Sequence, residues 1–102
     1  MTAVRVLLVE DDLVTSTLIR HRLQRDGLGV SLFANGEDAF RWAEASTFDL
    51  AILDVKVPGM DGFETCRALK SGVAADVPVI FMTGLEDTEH IVQGLDSGGI
   101  DY

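Results

Sequence analysis

Acidic side chains stand directly behind apolar runs at two places in this sequence, and a hydroxyl stands behind a third. Glu10-Asp11-Asp12 follows the run 6–9, Asp54 follows 50–53 and Thr83 follows 79–82. Short, apolar, β-branched runs of this kind read as buried strands, which places these groups at strand C-terminal ends. In open α/β sheets ligands bind at those ends, near the point where strand order reverses. Neighbouring strand ends lie about 4.8 Å apart, so carboxylates from two strands can reach one small ion. Carboxylates gathered without a counter-charge repel one another, and some are driven to take up protons. A hard divalent cation removes that conflict. Mg²⁺ typically takes one or two carboxylates at about 2.1 Å and keeps waters for a phosphoryl ligand. An acidic cluster with a hydroxyl on the next strand therefore reads as a metal-dependent phosphoryl site. Each part alone has a plainer explanation. Acids ahead of a helix serve as caps and dipole partners, Asp54 can be a turn residue before Pro58, and Thr83 an ordinary strand-end threonine. The conjunction at three converging strand ends is what those explanations leave out.

The elements that must position these groups follow from the alternation of apolar runs with helix-period segments, the pattern of a parallel α/β sheet. The first strand is expected over 4–9, followed by a helix over 13–26 with Asp12 as its cap and Gly27 as its stop. Val14, Leu18, Ile19 and Leu23 form the inward stripe expected of that helix. A short strand over 30–33 leads to Asn35, the cap of a second helix running to about residue 45 with Ala39, Phe40 and Ala43 inward. The third strand covers 49–54. Pro58-Gly59 breaks the chain, and Asp61-Gly62 opens a third helix that turns Phe63, Cys66 and Leu69 to the core. Pro78 opens a fourth strand over 79–83, a fourth helix is expected over 86–97, and Ile100-Asp101-Tyr102 begins a fifth strand. All of this fits a single domain over 1–102.

Composition bounds the function. The chain has 102 residues, 47% apolar and 25% charged, the balance of a globular domain. Seventeen acidic residues against eight basic ones give a net charge of −9, which argues against direct nucleic-acid binding. Apolar runs such as 6–9 fall far short of the roughly 18 residues that span a bilayer. With a lone cysteine, Cys66, and no signal segment at the start, a cytoplasmic location away from membranes is expected. Arg20, His21, Arg22 and Arg25 form a basic patch on the first helix, either a solvated face or a docking surface. His21 and His90 lack a plausible third ligand for a metal.

The same residues resemble the receiver domain of two-component response regulators, the CheY-like family of bacterial signalling, along the entire chain. V-L-L-V-E-D-D looks like the opening of such domains, and F-D-L-A-I-L-D-V-K-V-P-G-M-D-G-F-E is similar to the phosphoacceptor segment. V-P-V-I-F-M-T-G matches the fourth strand with its switch threonine, and G-L-D-S-G-G-I-D-Y resembles the approach to the fifth strand. The resemblance implies a flavodoxin-like, doubly wound parallel sheet of order 2-1-3-4-(5). It implies that Asp54 is the phosphoacceptor, taking a phosphoryl group from a sensor histidine kinase or a histidine phosphotransfer protein as an acyl phosphate. Mg²⁺ would be held by Asp11, by Glu10 largely through water, by Asp54 and by the backbone carbonyl of Lys56. Thr83 would hydrogen-bond the phosphoryl group, and Tyr102 would be the switch aromatic that passes the change to the surface, and so to an output domain or effector protein. Such a domain is regulatory rather than an enzyme, with at most Mg²⁺-dependent self-phosphorylation from small donors and slow self-dephosphorylation.

The sequence departs from the family in two respects, the milder being Lys56, two residues after Asp54, at a position where the family varies. The family lysine that pairs with the phosphoryl group lies three residues beyond the position of Tyr102, and neither Lys56 nor Lys70 occupies that place. By the same resemblance most of strand five and helix five would lie beyond Tyr102, and without them strand four is expected to be an apolar edge open to dimerisation or strand exchange. The absent lysine keeps a second reading open, a receiver-like interaction module that works without phosphorylation. A metal-dependent phosphatase of the haloacid dehalogenase type fits poorly, because Glu10 stands where its nucleophile would.

Overall fold

The computed structural model describes residues 3–72 and 74–82. Within them the chain forms β1 (Arg5–Val9), α1 (Leu13–Arg25), β2 (Gly29–Phe33), α2 (Gly36–Ala43), β3 (Leu50–Asp54), α3 (Gly62–Lys70) and β4 (Val79–Met82). The strands are parallel and ordered β2-β1-β3-β4. The architecture is the expected flavodoxin-like, doubly wound sheet. The predicted fourth helix and the start of a fifth strand, with Thr83 and Tyr102, lie outside the described residues.

Local chemistry sets the helix ends. Asp12 caps α1 by accepting from the Thr15 N–H at 2.9 Å, and Gly27 leaves the helix at φ +90°, a left-handed turn that suits glycine. Asn35 caps α2 by accepting from the Asp38 N–H at 2.8 Å. Asp61 and Glu64 form a reciprocal capping box at the start of α3.

Parallel crossovers are right-handed, so reversing direction after β2 puts α1 on one face of the sheet and α2 and α3 on the other. The second face holds the main core. Leu7, Val9, Ala51, Leu53, Val79 and Phe81 meet Ala39 and Ala43 of α2 and Phe63, Cys66 and Leu69 of α3, as the sequence pattern requires. Phe63 and Phe81 stack edge to face at 5.1 Å, and Trp42 packs half-buried between Phe33 and Phe48. Burial pushes the Cys66 thiol up from its ordinary range, in keeping with a packing role.

The other face corrects one expectation. Val14 and Leu18 do not point inward: they are 67% and 66% exposed, and Leu13 is 77% exposed. Ile19 and Leu23 turn inward as expected, but beside them stand Ser16 and Arg20, and of these four only Ser16 is fully buried. Helical spacing relates 14 to 18 as well as it relates 16 to 20 and 19 to 23. The rotation of α1 over β1 and β2 is therefore set by docking and not by the apolar pattern. His21, Arg22 and Arg25 lie on its solvated side, with Arg22 paired to Asp26 at 3.3 Å. No described helix is long and apolar enough to cross a membrane.

Candidate functional site

The chain turns one way from β1 to β2 and the other way to reach β3, so the switch point lies between the C-terminal ends of β1 and β3. The register pairs Val9 with Leu53, which sets Glu10 beside Asp54. The Glu10 N–H donates to the Phe33 carbonyl at 3.0 Å, extending the β1–β2 ladder by one residue and holding Glu10 at the C-terminal end of a central strand, only 7% exposed. Asp11 is exposed and Asp54, the last residue of β3, is half-buried. Carboxylate oxygens of Glu10, Asp11 and Asp54 lie within 4.8 Å of one another.

The acidic triplet thus divides its labour. Asp12 is the helix cap, while Glu10 and Asp11 turn to Asp54. Burial pushes the Glu10 carboxyl up to about 8, and the hydrogen bond to Asp54 and the charge of Asp54 add to the rise. The cluster therefore crowds more negative charge than it accommodates alone. An all-oxygen donor set of this kind fits a small, hard divalent cation such as Mg²⁺.

A seven-residue loop joins Asp54 to α3. The Val55 N–H donates to the Met82 carbonyl at 3.0 Å, continuing the β3–β4 pairing, and the Gly62 N–H returns to the Val55 carbonyl at 3.1 Å. The Lys56 N–H donates to Asp54 Oδ1 at 3.1 Å and so orients the carboxylate, while the Lys56 side chain is exposed. Gly62 must be glycine, because a Cβ there would lie 2.5 Å from the Asp54 carbonyl oxygen. Of the residues singled out in the sequence, Glu10, Asp11, Asp54 and Lys56 are brought together. Thr83 and Tyr102 lie outside the described residues.

One contact escaped the sequence reading. The Met60 N–H donates to Glu37 Oε2 at 3.2 Å, linking the first turn of α2 to this loop across 23 positions. An acid in a first turn reads as a dipole partner, and nothing local signals a second bond.

Comparison with known proteins agrees with this geometry. Residues 6–102 match the response regulator receiver domain. The chain belongs to that family. The receiver domain is 39% identical over 97 residues to the transcriptional regulatory protein AfsQ1 of Streptomyces coelicolor, covering 95% of this chain and 42% of that protein. It is 35% identical over 100 residues to the response regulator MprA of Mycobacterium tuberculosis, covering 98% and 43%. The chain thus spans about two fifths of the curated relatives it matches. Among solved structures it is similar to the chemotaxis protein CheY4 of Vibrio cholerae, with TM-score 0.91, 29% identity and coverage of 98% of this chain and 84% of that one. It is also similar to the receiver domain of a Pseudomonas aeruginosa sensor histidine kinase, with TM-score 0.90, 31% identity and coverage of 99% and 84%. In that structure a magnesium ion is coordinated in the active-site cleft. Magnesium binding at an acidic pocket is typical of receiver domains, and the donor set described above fits it.

Proposed function

We propose that this receiver domain accepts a phosphoryl group on Asp54 from a phosphohistidine of a sensor histidine kinase or a histidine phosphotransfer protein. The observation that carries the reading is the meeting of Glu10, Asp11 and Asp54 at the switch point of the sheet. An Asp54 carboxylate oxygen attacks phosphorus and the phosphorus–nitrogen bond breaks. The electron pair returns to the imidazole, and Asp54 becomes an acyl phosphate. The Lys56 N–H bond to Oδ1 fixes the rotation of the carboxylate before attack. Glu10, Asp11, Asp54 and the Lys56 carbonyl would hold Mg²⁺, which when bound neutralises charge on the transferring phosphoryl oxygens. Thr83 then hydrogen-bonds the phosphoryl group, and Tyr102 carries the change to the surface. The domain is regulatory, works in the cytoplasm and passes its state to an output domain or an effector protein.

Intact mass tests this directly. Incubated with Mg²⁺ and a small acyl-phosphate donor, the parent chain gains one phosphoryl mass, and neither Asp54→Asn nor a Mg²⁺-free control does. A parent chain that never gains the mass points instead to an interaction module that works without phosphate.

A further inference from the structure

We propose that Glu37, in the first turn of α2, is a positioning residue for the phosphoryl site, acting through the loop that follows Asp54. The inference rests on the phosphoacceptor reading above and adds a residue to it. The grip of α2 on the loop is close. Glu37 Oε2 accepts the Met60 N–H at 3.2 Å, and a Cβ on Gly59 would lie 2.4 Å from the same oxygen. The carboxylate thus occupies the space a side chain at position 59 would fill, and Gly59 itself sits at φ +74°, where glycine is favoured. One residue before Glu37, Gly36 is buried, and a Cβ there would lie 2.9 Å from the Met60 carbonyl oxygen.

The other end of the loop is tied to the nucleophile. The Lys56 N–H bonds Asp54 Oδ1, and the Lys56 carbonyl belongs to the proposed metal ligands. Between Lys56 and Gly59 stand only Val57, which is buried, and Pro58, whose ring fixes its φ. That leaves little slack, so a displacement at Met60 reaches the peptide groups of Lys56. Releasing the Glu37 bond lets those groups turn away from Asp54 and from the metal position. The neighbouring Asp38 shares the first turn of α2 but faces Asn35 and Arg41 instead of the loop, so it separates helix stability from loop anchoring.

The test compares Glu37→Leu, Glu37→Gln and Asp38→Ala with the parent chain. Each is titrated with Mg²⁺ by calorimetry, assayed for phosphoryl gain from a small acyl-phosphate donor by intact mass, and melted. Glu37→Leu is expected to weaken Mg²⁺ binding about tenfold, the low end of what losing a group that orients a metal's ligand costs, and to slow phosphoryl gain. Glu37→Gln keeps an acceptor oxygen for the Met60 N–H and restores both properties. Asp38→Ala lowers the melting temperature and leaves Mg²⁺ affinity alone. If Glu37→Leu does not fold, Glu37→Ser, too short to reach Met60, takes its place. The proposal is overturned by a Glu37→Leu chain that binds Mg²⁺ as the parent does, or by a Glu37→Gln chain as weak as Glu37→Leu. A parent chain that neither binds Mg²⁺ nor gains phosphoryl mass is a different result, and it overturns the phosphoacceptor reading itself.

Discussion

At the scale of single residues, Glu10 has the clearest consequence. Its carboxyl has an ordinary value of 4.5, and burial followed by the bond to Asp54 and the charge of Asp54 raises it to about 8. Between those values the folded chain keeps a proton that the unfolded chain has released. Stability therefore falls as pH rises through that window and levels above it. Metal-free melting temperatures should decline from about pH 5 to about pH 8, whereas Glu10→Gln, which cannot ionise, should flatten the decline. Saturating Mg²⁺ should flatten it in the parent as well, by favouring the ionised carboxylate. A decline of equal slope in Glu10→Gln would assign the pH dependence to other groups. The site acids were legible from type and spacing, because each directly follows a strand whose apolar run is obvious. That Asp12 caps α1 was legible as well, whereas the choice of Asp11 as the acid that faces Asp54 came from the family resemblance, since adjacent acids differ only in direction.

At the scale of elements, the joint between β3 and α3 is the sensitive point. Gly62→Ala replaces a poor helix former with a good one, yet its Cβ would press on the Asp54 carbonyl oxygen at 2.5 Å and on Val55 Cα at 2.9 Å. Backbone has to move, and the substitution should cost about 1–3 kcal/mol in urea unfolding. Because the atoms displaced belong to Asp54 and Val55, Mg²⁺ affinity should fall with it. Removing the cap by Asp61→Ala should cost about 1 kcal/mol through the lost bond to the Glu64 N–H at 2.8 Å. The caps at Asp12 and Asn35 were readable, as was the helix start at Asp61-Gly62, since a cap is a contact across three residues. The inward face of α1 was readable only in part: Ile19 and Leu23 turn in as the period suggests, whereas polar Ser16 and Arg20 take the place expected for Val14 and Leu18.

For the whole molecule, the two faces of the sheet are unequal. Leu69 is 1% exposed in the core beneath α2 and α3, and Leu69→Ala should cost about 2–5 kcal/mol. Leu18→Gln, at an equally apolar position of α1, should stay within about 0.5 kcal/mol in the same unfolding measurement. Equal losses at both positions would mean that α1 buries the 14/18 line after all. On the proposed function Mg²⁺ binds only the assembled cluster, so it should raise stability by about 2.7 kcal/mol at a hundredfold excess over its Kd.

The sequence alone determined the order and type of the described elements, their caps and the strand ends that carry Glu10, Asp11 and Asp54. These follow from contacts a few residues long and from the periods of side-chain burial. The tertiary structure decided which way α1 turns and that Glu37 reaches Met60. Each of these is a choice between locally equivalent arrangements, and only contacts between residues distant in the chain distinguish them.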